Sequence, residues 1–239
     1  MGMIQTVLIV LVVVVALYLI FSWMFTSSTQ LTSMLAANTS QVIPASSLPN
    51  NNNTSNYTYS TWFYIDDWNY RFGEPKIILG RLDEDKHPSP SIGLGAISND
   101  LTISVSCYSQ DPTSGATGND PMIHKCNVQN IPLQKWVNLI ISLYGRTLDV
   151  YIDGKLVRTC VLPGVAQVNP DADILVTPAG GFSGWTSNFQ YWPNATNPQQ
   201  AYNIYKAGYG GNAFGNMFNK YRVKVSFLED NKEQGSFEI

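Results

Sequence analysis

The sequence predicts an all-β chain: two antiparallel sheets packed face to face, one short helix, and a single membrane-spanning helix in front of them. Three observations carry this. Residues 135–162 alternate apolar and polar side chains through three strands and two tight turns, the period-two pattern of a sheet with one face in a core. Residues 7–25 form an unbroken apolar run. Charged residues are only 13% of the 239-residue chain, about half the usual share, with Asn, Ser, Thr, Gly and Tyr in their place.

The apolar run comes first in the chain. Its 19 residues would extend about 28 Å as a helix, close to the roughly 30 Å of a bilayer core. Tyr18 and Trp23 sit towards its far end, where amphipathic rings favour the interface. A cleaved signal peptide would carry a basic start and a shorter apolar stretch. This N-terminus has no Lys or Arg, and Leu35-Ala36-Ala37, which resembles a cleavage site, lies too far downstream. A retained anchor over residues 1–25 is therefore expected. No charged residue precedes Asp66, so the positive-inside rule sets no orientation. Gly2, in Met1-Gly2-Met3-Ile4-Gln5-Thr6, matches a short myristoylation pattern that also arises by chance.

Residues 26–56 read as a Ser/Thr/Asn-rich linker containing Pro44 and Pro49. A flexible chain of that length reaches about 30 Å. Asn38, Asn52, Asn53, Asn56 and Asn194 each begin an Asn-X-Ser/Thr triplet, the acceptor pattern for N-glycosylation.

The sandwich is expected over residues 57–239. Aromatic-rich 59–65 and apolar 76–81 open it, and 91–94 and 101–107 follow around the turn Ser98-Asn99-Asp100. A Gly/Pro-rich loop at 110–121 leads to a strand at 123–128. In the meander, Val137, Leu139, Ile141 and Leu143 alternate with Asn138, Ile140, Ser142 and Tyr144. Gly145-Arg146 and Asp153-Gly154 supply the turns, with Gly accepting the positive φ of a two-residue hairpin loop. Strands at 173–177 and 187–192 flank a Gly-rich bend at 180–185. Asn197-Pro198-Gln199-Gln200 then starts a helix. Asn197 is a good N-cap, Pro198 fits the first helical position, and Gln200 stands at capping-box spacing. Ala201, Ile204 and Tyr205 make its apolar stripe, and Gly208 stops it. Alternation at 221–227 gives a last strand.

This order of features resembles the concanavalin A-like/laminin-G-like jelly-roll family. The resemblance rests on Trp62, Trp136, Asp149-Val150-Tyr151-Ile152-Asp153-Gly154, Gly181-Phe182-Ser183-Gly184 and the capped helix. It covers about residues 57–211. The whole chain also looks like laminin-G-like membrane proteins of nucleocytoplasmic large DNA viruses. Ile131-Pro132-Leu133-Gln134-Lys135-Trp136, Leu156 to Gly164 and Asn219 to Lys224 carry that likeness. It implies a structural role in the virion, as a minor capsid or membrane protein contacting the bilayer and neighbouring capsid proteins. A glycan- or receptor-binding module for attachment is the alternative.

The chemistry in the sequence points away from catalysis. Glycosidases on this fold need paired carboxylates held about 5 Å apart in the retaining case. The family's E-x-D-x-x-E run is missing, and Asp83-Glu84-Asp85 and Glu229-Asp230 with Glu233 lack its spacing. No catalytic residue is expected. His87 and His124 lack metal-ligand spacing. Net charge is −3 and there is no basic run, which argues against nucleic acid. Laminin-G-like domains often bind calcium at a rim, which makes Asp66, Asp67, Asp83 and Asp85 candidate oxygen ligands; otherwise they are exposed loop carboxylates. No other cofactor is expected.

Three cysteines, Cys107, Cys126 and Cys160, allow one bridge in three pairings. The favoured pair is Cys107–Cys126, brought together if 101–107 and 123–128 pair around the polar loop; all three being reduced and buried is the alternative. Trp62, Tyr64, Trp68, Tyr70, Trp185 and Trp192 invite glycan stacking. Alternation suggests that Trp62 and Tyr64 face the core. Trp68 and Tyr70, in a loop-like stretch, are the candidate contact residues, with plain packing as the other reading.

Overall fold

The computed structural model describes residues 31–49, 55–108 and 121–210 with their side chains, and the backbone of 224–229 and 232–238. The expected membrane span at 7–25, Gly2, Asn52 and Asn53 lie outside the described residues. Among the described residues, no helix is long and apolar enough to cross a membrane.

The strands in chain order begin with β1 (Leu35–Ala36), β2 (Gln41–Ile43), β3 (Tyr57–Ile65), β4 (Lys76–Leu82) and β5 (Pro88–Leu94). Next come β6 (Leu101–Cys107), β7 (Met122–Val128), β8 (Trp136–Tyr144), β9 (Thr147–Ile152) and β10 (Lys155–Val161). After β11 (Ile174–Val176) and β12 (Gly184–Trp192) comes helix α1 (Pro198–Ala207), and β13 (Lys224–Glu229) and β14 (Lys232–Glu238) close the chain.

Residues 29–210 form one unit, built from two six-stranded antiparallel sheets. Sheet A has the order β1-β12-β3-β8-β9-β10, and sheet B the order β2-β11-β4-β5-β6-β7. The pair β13–β14 is a separate two-stranded antiparallel sheet.

The meander folds as its chemistry demands. Asp153 and Gly154 both have positive φ (49° and 72°), as a type I′ hairpin turn requires. Val137, Leu139, Ile141, Leu143, Leu148 and Val150 point into the core between the sheets. There they meet Ile78, Leu79, Ile92, Ile103 and Val105 of sheet B. The outer face of sheet A is covered as well, because Ile140 and Tyr151 are buried under Ala201 and Ile204 of α1. The helix begins as its sequence predicts. Asn197 Oδ1 accepts from Gln200 N (2.9 Å), and Gln200 Oε1 accepts from Asn197 N (3.2 Å).

Three expectations are corrected. The segment read as linker up to residue 56 contributes β1 and β2, which pair with β12 and β11 at the sheet edges. Two or three residues of edge pairing leave little alternating pattern to read. Trp62 and Tyr64 do not face the core: Tyr59, Phe63 and Ile65 do. Both faces of β3 carry aromatics, so alternation alone could not assign the inner one.

The third correction is the disulfide, which joins Cys126 to Cys160 with Cα atoms 6.1 Å apart. Cys107 is free and buried. The β6–β7 register explains this. Cys107 lies opposite Met122, and Cys126 lies opposite Ile103, so the expected partners are four positions apart, about 13 Å along a strand. Cys126 instead reaches across from the last strand of sheet B to the last strand of sheet A.

The connection from β10 to β11 is fastened by a buried cation. Arg81 is only 2% exposed. Its Nε donates to the Ala172 carbonyl (2.9 Å), one terminal nitrogen to the Pro170 carbonyl (2.7 Å), and the other to the Tyr59 hydroxyl (3.3 Å). The guanidinium carbon lies 5.8 Å from the centre of the Tyr191 ring.

The pairing sets a thiol count and a stability. Denatured, unreduced protein is expected to show one reactive thiol, Cys107→Ser none, and Cys126→Ser two. Removing the bridge should lower unfolding free energy by about 3–4 kcal/mol, from the loop it closes, read by urea denaturation. A bridge that survives Cys160→Ser would refute this pairing.

Candidate functional site

The most distinctive surface is a row of aromatic rings on the outer face of sheet A. It starts at Trp185 on β12, crosses Tyr64 on β3 and reaches Trp136 at the start of β8. Tyr64 packs against Trp185 and Trp136 with ring centres 5.7 and 5.8 Å apart. Trp136 stacks on Tyr209 at 4.7 Å with an interplanar angle of 5°. Tyr209 also meets Trp62 edge-on at 5.9 Å, and Trp62 stacks on Tyr205 of α1 at 5.6 Å. Trp62 is buried by these two tyrosines, whereas Trp185 is 42% exposed and Tyr64, Trp136 and Tyr209 are half-buried.

The backbone holds this row in place. β12 carries an irregularity between Ser187 and Gln190, with Asn188 at φ 49°, a conformation Asn tolerates better than most residues. Such a bulge re-aims its neighbours. Here Ser187 Oγ donates to the Tyr209 carbonyl (2.6 Å), and Asn188 Nδ2 donates to the Gly208 carbonyl (2.9 Å). Both clamp the segment after α1, so Tyr209 comes to rest on Trp136. Below the row, Gly184 has φ 143°, and a Cβ there would collide with the Tyr64 carbonyl.

Sequence reasoning named Tyr64 and Trp185 among its aromatics but missed Trp136 and Tyr209. Trp136 was visible as an aromatic opening an amphipathic strand. Tyr209 had no local signal, because its position depends on a bulge in another strand.

The predicted contact residues lie in the β3–β4 loop. Trp68 is half-buried against the core, its Nε1 donating to the Ile97 carbonyl (3.0 Å). Lys76 Nζ sits over its ring, 4.5 Å from the centre, so one ring face is occupied. Tyr70 donates from its hydroxyl to the Gly180 carbonyl (3.3 Å). Arg71 pairs with Glu74 (2.7 Å) and donates to the Ala179 carbonyl. These contacts tie the loop to the Gly-rich bend. Lys76 is fully buried, and its Nζ has no hydrogen-bond partner among the described residues. Burial, then the Arg71 charge, lowers its pKa, with Glu74 opposing.

The four candidate calcium ligands do not converge. Asp66 and Asp67 precede β4 and Asp83 and Asp85 follow it, so a seven-residue strand of about 23 Å separates the pairs. Asp67 Oδ1 accepts from Asn69 N (2.9 Å). Asp83 accepts from His87 N (2.7 Å) and lies 3.0 Å from His87 Nδ1. Slight burial raises the Asp83 pKa, but the His87 contacts outweigh it and the net shift is downward. Among the described residues, no three His, Cys, Asp or Glu side chains cluster as a metal site. Of the sequons, Asn38 and Asn194 are exposed, and Asn56 Oδ1 accepts from Gly145 N (2.8 Å). His124 is half-buried on β7.

The family model that matches residues 36–201 is Laminin_G_3, of the concanavalin A-like lectin/glucanases superfamily. The chain belongs to this superfamily. The likeness to the jelly-roll family read from the sequence is thus correct, with the matched region starting at β1. No curated protein matches the chain. Among solved structures, this concanavalin A-like domain is similar to the receptor binding domain of botulinum neurotoxin D. That match has a TM-score of 0.54 and 13% identity over 77% of this chain and 46% of that one. It is also similar to the receptor binding domain of the mosaic serotype C/D, with a TM-score of 0.54 and 13% identity over 75% and 44%. The chain spans less than half the length of each, and at such identity the likeness is one of fold.

The buried ammonium gives a pH test. Lys76→Met keeps the packed stem and removes the charge, so it should stabilise the domain at neutral pH by about 1 kcal/mol. The folded-state pKa of Lys76 is depressed, so the unfolded chain binds more protons as pH rises through the lysine range, and wild-type stability climbs there. The gap between the proteins, read by urea denaturation at pH 7 and at pH 10, should narrow at alkaline pH. A gap of constant size would count against the buried cation.

Proposed function

We propose that the chain is a membrane-anchored, non-catalytic recognition protein whose concanavalin A-like domain binds glycans through the aromatic row of sheet A. The observation that carries this is the run Trp185, Tyr64, Trp136 and Tyr209. These are large rings, partly exposed and side by side on a rigid sheet. Soluble proteins seldom leave contiguous apolar surface of this kind without a use. Tyr and Trp offer an apolar body with a polar tip, which suits the apolar face and rim hydroxyls of a sugar ring. Membership of a lectin-containing superfamily supports the ligand class. The toxin neighbours, named as receptor binding domains, use the same fold.

The setting we propose is the surface or inner membrane of a large DNA virus particle. The apolar run at 7–25 would hold the chain there, in contact with capsid neighbours. Its support is the sequence likeness to laminin-G-like viral membrane proteins. Mass spectrometry of purified particles should detect the protein, and its absence from them would remove the virion from the proposal.

Binding is tested with a glycan array and the detergent-solubilised full chain. A defined subset of glycans should bind, and Trp185→Ala should weaken that binding about tenfold, equivalent to ~1.4 kcal/mol. Trp192→Ala, outside the row, should change it little. A chain silent across the array, or affinity indifferent to Trp185, would sink the reading.

A further inference from the structure

The sandwich has a second feature suited to a partner, at the edge closed by the disulfide. Among the described residues, β7 and β10 each have a neighbouring strand on one side only. Their outer edges therefore carry backbone N–H and C=O groups with no strand partner among those residues, a template for an added strand. Between the two strands lies a cleft of about 580 Å³, whose lining includes Asn127, Val128, Asn130, Ile152, Val157 and Arg158. Its walls stand on both sides of the Cys126–Cys160 bridge, which fixes their separation. β10 is exposed along almost its whole length, with Leu156, Val157 and Val161 apolar and open to solvent.

The charges carried by β7 and β10 themselves are all basic, since neither strand contains a carboxylate. Lys125 on β7 and Lys155 and Arg158 on β10 are exposed, and none has an ion pair among the described residues. Of the carboxylates on the neighbouring β9 and its turn, Asp149 keeps its charge but alternates with core-facing Leu148 and Val150 and so lies on the outer face of sheet A, and Asp153 is paired with a lysine. Asp149 accepts from Thr159 Oγ1 (2.6 Å), and Asp153 holds Lys135 Nζ (3.1 Å) and Asn138 N (2.9 Å). A second copy fits poorly. Pairing two β10 strands antiparallel about their midpoint sets Arg158 opposite Arg158, and like charges directly opposed are destabilising.

We propose that this edge docks an extended, acidic segment of a partner protein. The segment adds as a strand beside β10, places an apolar side chain in the cleft and sets carboxylates against Arg158 and Lys155. Main-chain hydrogen bonds supply affinity and the cleft supplies selectivity, as in other strand-addition complexes. This surface is separate from the aromatic row and goes beyond glycan binding.

The test uses the full chain in detergent micelles and a fluorescein-labelled peptide of about eight residues alternating Val and Glu, a length typical of one strand. Fluorescence anisotropy should show saturable binding. A peptide alternating Val and Lys should bind at least about tenfold more weakly. Arg158→Glu and Lys155→Glu, each checked for an unchanged thermal melt, should weaken the Val/Glu peptide by a similar factor, and Lys86→Glu at the β4–β5 turn should not. Hydrogen exchange should slow at β10 amides when the peptide binds. The proposal falls if Arg158→Glu binds like wild type, if protection appears away from β7 and β10, or if the edge pairs with a second copy and ignores the peptide.

Discussion

The Cys126–Cys160 bridge is the constraint on which the shape of this sandwich depends. It ties the last strand of sheet A to the last strand of sheet B. At the opposite side, the chain itself passes from β1 at the edge of sheet A to β2 at the edge of sheet B within a few residues. Both sides are thus held covalently, one by a disulfide and one by the backbone. Two twisted sheets held only by apolar contact can splay apart at their edges; here each pair of edges is tied by a covalent link. The cleft beside Arg158 lies next to this bridge, lined by residues that follow Cys126 and precede Cys160.

With the edges fixed, the two faces of sheet A acquire different tasks. The inner face is an ordinary apolar layer of Val137, Leu139, Ile141 and Leu143 against sheet B. The outer face is divided. Towards α1 it is sealed, with Ile140 and Tyr151 under Ala201. Towards β12 it carries the partly exposed rings of Tyr64, Trp136 and Trp185. The residues just after α1 join these halves, since Tyr209 stacks on Trp136 and packs edge-on against Trp62. One bulge in β12 clamps that segment, so a backbone irregularity organises the surface to which we assign binding.

Two buried cations mark the opposite ends of β4, and both hold loops. Arg81 directs its donors at carbonyls of the β10–β11 connection, matching a guanidinium fork to fixed acceptors. Lys76 lies against the face of Trp68, and among the described residues its ammonium has no hydrogen-bond partner. The first arrangement is well satisfied and the second is costly. The loop bearing Trp68 and Tyr70 is therefore a packed element of the rim, with its polar groups turned to neighbouring carbonyls.

Sequence by itself determined everything governed by short-range chemistry. The meander, its Asp153-Gly154 turn and the Asn197–Gln200 capping box are each encoded within a few residues, and they form where the pattern places them. The family was also legible, because those local signals occur in a characteristic order. Tertiary structure alone decided the rest. Which face of β3 turns inward depended on what covers the other face. Which cysteines meet depended on the β6–β7 register, four positions away from the one that pairs Cys107 with Cys126. Which aromatics share a surface depended on Tyr209 being carried onto Trp136 by contacts from β12. In each case the deciding partner is distant in the chain, and alternation within one strand cannot report where another strand will lie.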